Sequence, residues 1–172
     1  MINQQVYFKG IRNEIIKLLE SAQSEIKIAV AWITDEKIIR ILEKISIEGV
    51  DISIIFYDDR VNDKSLFHGL LYSGAEIRCS KNLMHNKFCI IDSNLVINGS
   101  YNWTKNAESN NENILVTSGN YQLAKKFEDE FYKLFERCKS IEPNLTFFNE
   151  AQVEQDNFEE YFKNTISQLF SL

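Results

Sequence analysis

The stretch that most restricts what this chain can fold into is residues 26–32, Ile-Lys-Ile-Ala-Val-Ala-Trp. Its apolar residues barely alternate, whereas a strand with one wet face shows a period of two. Such a run suits a strand covered on both faces, and that cover requires helices in front of the sheet and behind it. The flanking segments supply them. Phe8, Ile11, Ile15, Leu18, Leu19 and Ala22 recur at helical spacing and predict an amphipathic first helix. Thr34 is the expected N-cap of a second, with Asp35 and Glu36 at the positive end of its dipole. Ile38, Ile39, Leu42 and Ile45 form its inward stripe, and Gly49 ends it. Residues 50–57 read as another strand, 63–72 as a short helix closing at Gly74, and 114–117 as a later strand. Ala124, Phe127, Phe131, Leu134, Phe135 and Cys138 mark a long amphipathic helix that stops before Pro143, the only proline. The alternation predicts an α/β fold with a mixed, largely parallel sheet and helices on both faces.

Residues 84–104 interrupt that alternation. Two apolar runs, 88–91 and 95–97, are separated by Asp92-Ser93-Asn94, side chains that bond nearby backbone and favour tight turns. An antiparallel hairpin is expected. Alternation along its first arm puts His85 and Lys87 on one side, and along the second it groups Asn98, Ser100 and Asn102 if the strand runs that far. One face would then carry an imidazole, an ammonium, a hydroxyl and carboxamides. With no obligate anion among them, such groups suit holding a phosphate and attacking it.

The spacing His85-x-Lys87, four residues, Asp92, then Gly99-Ser100-x-Asn102 resembles the HKD signature of the phospholipase D superfamily, including its downstream Gly-Ser-x-Asn element. In the order of its elements the resemblance runs from about residue 5 to residue 138. The chain is most similar to the single-motif branch, small bacterial endonucleases and their mitochondrial phosphodiesterase relatives. This implies a phospholipase D-like catalytic domain over residues 1–142. It also implies that His85 attacks phosphorus while Lys87 neutralises a phosphate oxygen. Ser100 and Asn102 then donate hydrogen bonds to the developing oxyanion. Glu112 stands where the family carries an acid that orients the imidazole. Asp92 gives the motif its last letter, yet strand parity sets it opposite His85, so it reads as a turn and packing residue beside the structural Gly99.

Phosphohistidine chemistry needs two imidazoles, one neutral to attack and one charged to protonate the leaving oxygen. The chain has two histidines, His85 and His68. His68 sits in Leu66-Phe67-His68-Gly69-Leu70-Leu71 and reads as an ordinary helix or loop residue. The second imidazole is therefore expected from another copy of the chain, in a homodimer with one shared site on its two-fold axis. With Lys87 supplied twice, no metal and no cofactor are expected.

At 172 residues, with 44% apolar and 26% charged, the chain suits a single globular domain. Its formal charge of −6 is uneven, because from residue 145 onward Glu150, Glu154, Asp156, Glu159 and Glu160 face Lys163 alone. That balance argues against a general DNA-coating protein while leaving room for a local basic cleft. Residues 143–172 read as an acidic amphipathic helical tail, with Phe158, Tyr161, Phe162, Ile166, Leu169 and Phe170 at helical spacing. It packs either on its own domain or on a partner. No signal-peptide pattern is visible, and no apolar run approaches the ~20 residues of a membrane span. Cys79, Cys89 and Cys138 lack Cys-x-x-Cys spacing, so a cytoplasmic protein with reduced thiols is expected. Trp32 and Trp103 suit base stacking, cover of a lipid headgroup, or buried packing. The expected function is a metal-independent endonuclease on DNA or RNA. The alternatives are a phospholipase D-type hydrolase of cardiolipin or phosphatidylcholine, and a non-catalytic phosphate-binding module.

Overall fold

Eight strands form one sheet in the computed structural model, which describes residues 1–142. In chain order they are β1 (Asn3–Tyr7), β2 (Glu25–Val30), β3 (Asp51–Tyr57), β4 (Glu76–Ser80), β5 (Lys87–Ile91), β6 (Leu95–Gly99), β7 (Ile114–Ser118) and β8 (Lys139–Ser140). Side by side they run β1-β7-β6-β5-β2-β3-β4-β8. The helices are α1 (Ile11–Leu19), α2 (Glu36–Ile47), α3 (His68–Tyr72) and α4 (Tyr121–Arg137). The cover expected for β2 is present on both sides. Ile15, Leu19, Leu42 and Leu70 of α1, α2 and α3 pack with Ile28, Ile54, Cys89 and Ile97 from one face of the sheet. Phe131 and Phe135 of α4 pack with Ala29, Ile55, Phe88 and Ile90 from the other.

The sheet is mixed, as expected, but its parallel part is confined to β2-β3-β4. Every other pairing among these eight strands is antiparallel. Parallel neighbours need a crossover, which α2 supplies between β2 and β3 and α3 between β3 and β4. The three residues joining β5 to β6 allow only a hairpin. In its turn Asp92 and Ser93 both take positive φ, 52° and 51°, and the Asn94 N–H donates to the Ile91 carbonyl at 3.1 Å.

Three local expectations change. Phe8 is 68% exposed and lies outside α1, which begins at Ile11 after Gly10 turns the chain at φ +65°. Ahead of it, Asn-Gln-Gln-Val-Tyr forms the edge strand β1, nearly all of it exposed. An edge strand with both faces wet has no alternation to detect. The N-cap of α2 is Asp35, not Thr34: the Asp35 side chain accepts the Lys37 N–H at 3.0 Å. Thr34 is committed elsewhere, since its N–H and that of Asp35 both donate to the Trp103 carbonyl, at 2.8 and 3.0 Å. β2 stops at Val30, which leaves Trp32 beyond its end, past a bend at Ala31. The helical tail expected over 143–172 lies outside the described residues.

Candidate active site

The ends of β2 and β6 and the starts of β5 and β7 meet at one end of the sheet. The segment leading into β5 is stitched to β2 because the Ala31 N–H donates to the Asn86 carbonyl at 2.9 Å. Val30 then registers with Lys87. This places Lys87 at the strand start and leaves His85 exposed just ahead of it. Lys87 folds back, its Nζ donating to the His85 carbonyl at 2.8 Å. Trp32 borders both side chains. The His85 ring meets its indole edge-on at 5.5 Å and 81°, and Lys87 Nζ lies 5.5 Å from the indole centroid. Burial pulls the Lys87 ammonium below the ordinary lysine range, and the Glu112 charge offsets part of that.

The second half of the motif arrives by a different route from the one strand parity suggested. Asn98 pairs with Phe88, which packs under α4, so Asn98 faces away from Lys87. The strand ends at Gly99, and Ser100 is held by the segment ahead of β7 instead. Its N–H donates to the Asn113 carbonyl at 3.0 Å, and its Oγ accepts the Asn113 N–H at 3.1 Å. Only glycine fits at 99, because a Cβ there would sit 2.9 Å from Ile114 Cα and overlap the Asn113 carbonyl oxygen. The Ser100 hydroxyl donates to Glu112, whose other oxygen accepts from Asn110 at 3.3 Å. Within one copy of the chain Glu112 is thus bonded to Ser100 and Asn110, not to the imidazole it was expected to orient. Asn102 is half-buried, and its Oδ1 has no hydrogen-bonding partner among the described residues. The Trp103 N–H donates to the Trp32 carbonyl at 3.0 Å, which ties the Asn102 segment to the end of β2. Trp103 is buried in the core, so of the two tryptophans only Trp32 faces the site.

Asp92 sits at the opposite end of the hairpin. Its carboxylate accepts the N–H groups of Gln23, Ser24 and Glu25 and the Ser24 hydroxyl, at 2.8–3.1 Å. Burial pushes this carboxyl up, but those donors outweigh it and hold Asp92 below the usual aspartate range. Beside it lies a network the sequence did not reveal. Lys27 Nζ is 2.5 Å from Glu25 and 3.1 Å from Glu128, and Ser93 Oγ lies 2.5 and 2.6 Å from the same two carboxylates. It fastens the turn to β2 and α4. His68 opens α3, half-buried, consistent with an ordinary helix residue. Among the described residues no group of three or more His, Cys, Asp or Glu is placed to hold a metal ion.

The family profile described as "Cardiolipin synthase, PLD-like domain" matches residues 15–135, which contain the whole of this assembly. The chain belongs to the phospholipase D superfamily. Its superfamily relatives include the mitochondrial cardiolipin hydrolases of Chlamydomonas reinhardtii, 34% identical over 131 residues, and Danio rerio, 30% identical over 135. Each alignment covers 74% of this chain but only 58% and 59% of the relative, so the chain spans less than two thirds of the curated relatives' length. Among solved structures, Nuc of Salmonella typhimurium, a phospholipase D family member, superposes with a TM-score of 0.76 at 25% identity. That match covers 83% of this chain and 99% of Nuc. NucT of Helicobacter pylori gives 0.72 at 26% identity, over 82% of this chain and all of NucT (100%). Both neighbours share the mixed sheet flanked by helices that the phospholipase D fold requires. Members of the superfamily, the cardiolipin hydrolases among them, are phosphodiester hydrolases.

Proposed function

We propose that this chain is a metal-independent phosphodiesterase acting on DNA or RNA, in which two copies share one site. The observation that carries the reading is the exposure of His85 beside Lys87 on an open face with Ser100, Asn102 and Glu112 close by. This is half of a phosphohistidine site. In the first step a ring nitrogen of one neutral His85 bonds to phosphorus. The bond to the leaving alkoxide breaks, and the protonated His85 of the second copy gives that oxygen its proton. In the second step the same imidazole, now neutral, takes a proton from water as the water oxygen displaces the phosphohistidine. Both histidines then return to their starting states. The two Lys87 ammonium groups neutralise the non-bridging oxygens, and the Asn102 amide donates to the charge that builds on them, joined by the Ser100 hydroxyl once it turns from Glu112. Exposed Leu83, two residues before His85, and exposed Val61, whose N–H is held by Asp59 at 2.8 Å, supply apolar surface next to the site for the second copy to bury.

A lipid reading has its own support in the similarity to mitochondrial cardiolipin hydrolases. The nucleic acid reading draws on the likeness to the small single-motif bacterial members and on the near-complete cover of Nuc and NucT by this chain. The deciding experiment incubates purified protein, in EDTA, with single-stranded DNA, plasmid, RNA and cardiolipin-containing liposomes, alongside sedimentation velocity. Nucleic acid cleavage by a dimer is expected. Headgroup release without strand cleavage would move the function to lipid. Cleavage that stops on chelation, or a fully active monomer, would overturn the mechanism.

A further inference from the structure

Trp32 belongs to neither hydrophobic core, although it lies two residues past the end of the deeply buried strand β2. It is half-buried, and its immediate neighbours are clamped. The Asn62 side chain donates to the Ala31 carbonyl at 2.8 Å and to the Tyr57 carbonyl at 2.7 Å, while its Oδ1 accepts the Ile33 N–H at 2.8 Å. The indole N–H donates to Asp59 Oδ2 at 2.8 Å, and Asp59 is itself oriented by the Val61 N–H on its other oxygen. Backbone and ring are therefore both tied, which is more restraint than packing alone demands of a surface tryptophan. What the tied ring touches is the motif pair, the edge of the His85 imidazole and the Lys87 ammonium.

We propose that Trp32, tethered by Asp59, is a positioning residue whose indole holds the Lys87 ammonium and the His85 imidazole in the arrangement the phosphate needs. The inference rests on the phosphodiesterase reading for its purpose but not for its geometry. A cation within ~6 Å of an indole centroid is attracted by the ring quadrupole, so the charged form of Lys87 is favoured. The other groups facing Lys87 are the His85 carbonyl ahead of β5 and the Glu112 carboxylate ahead of β7, with Asp59 behind the indole. Leucine at 32 keeps apolar bulk against Lys87 but has no quadrupole. Phenylalanine keeps a ring but has no N–H to tether.

The test is a lysine side-chain NMR titration of the full chain labelled with 13C,15N-lysine, with Lys87→Met assigning the resonance. In Trp32→Leu the Lys87 midpoint is expected to fall by about half a unit to one unit, and the His85 ring-proton resonances to move. Trp32→Phe is expected to recover most of the midpoint. An unchanged Lys87 midpoint in a folded Trp32→Leu protein overturns the proposal. If that variant does not fold, Asp59→Ala and Asp59→Asn are compared, since both remove the charge and only asparagine keeps an acceptor for the indole. A lower midpoint in Asp59→Ala supports the tether, and equal midpoints sink it. The readout is independent of turnover. A shifted Lys87 in a protein that cleaves no phosphodiester would leave this inference standing and remove the proposed function. An active enzyme with an unmoved Lys87 would do the reverse.

Discussion

Asp92 separates the two meanings that a motif residue can have. Replacing it with alanine removes one acceptor from three backbone N–H groups and a hydroxyl. Hydrogen bonds to a buried charge contribute about 1.5–3 kcal/mol each, but this turn is half-exposed, and water recovers most of that, leaving roughly 0.5 kcal/mol per bond. The four together come to about 2 kcal/mol. Asp92 also sits at φ 52°, where alanine costs about 1 kcal/mol more. The expected loss is about 3 kcal/mol, or roughly 6–12 °C in Tm for a domain of this size. Asp92→Asn tolerates the left-handed backbone and should lose about 1 kcal/mol less. Because the folded-state pKa of Asp92 is depressed, its contribution is present above the ordinary aspartate value near ~3.9 and is lost as pH falls through the lower folded value. The wild type and Asp92→Asn should therefore converge in stability on the acid side of about pH 4. The active end is five residues away along β5, about 17 Å at ~3.3 Å per residue, so turnover per folded molecule should not change. Urea unfolding followed by circular dichroism measures the first quantity, and oligonucleotide cleavage in EDTA measures the second. An Asp92→Ala protein of wild-type stability that is as inactive as His85→Ala would refute the reasoning.

His85→Ala should lower turnover by about 10²–10⁴-fold or more while moving stability by less than about 0.5 kcal/mol, because the ring is exposed. Parallel cleavage and melting measurements check this, and a near-wild-type rate would remove His85 from the mechanism. Gly99→Ala drives a Cβ into backbone that cannot retreat, so a loss of about 2 kcal/mol in a thermal melt is expected, with Ser100 displaced and activity reduced. Lys27→Met leaves Glu25 and Glu128 facing each other and should cost about 3 kcal/mol by urea titration. Burial opposes charge on both Lys27 and Glu25, yet their mutual bonds win, raising the first pKa and lowering the second. The Lys27 contribution is present below about 10.4 and lost as pH rises through its raised value, while that of Glu25 is present above about 4.3 and lost as pH falls. Wild-type stability measured across pH should therefore show this network's contribution flat between roughly pH 5 and 10, and a mid-range slope would contradict the pairing.

Much of this protein is written locally. The stripe of Ile38, Ile39, Leu42 and Ile45 forms α2, and Asp92-Ser93-Asn94 turns the hairpin, because periodicity and turn chemistry involve residues a few positions apart. The motif spacing likewise singles out His85, Lys87 and Ser100, and the fold brings them to one end of the sheet. Other features depend on which strands become neighbours. Asn98 left the site because its register with Phe88 put it on the α4 side of the sheet, and β1 was invisible because an edge strand of polar residues carries no pattern. Placing β2 between β3 and β5 is what brings Trp32 against His85 and Lys87, lets Asp59 and Asn62 hold it, and sets Lys27 opposite Glu128. Local propensity acts along the chain, whereas these contacts join residues tens of positions apart and exist only once the sheet order has closed the distance between them.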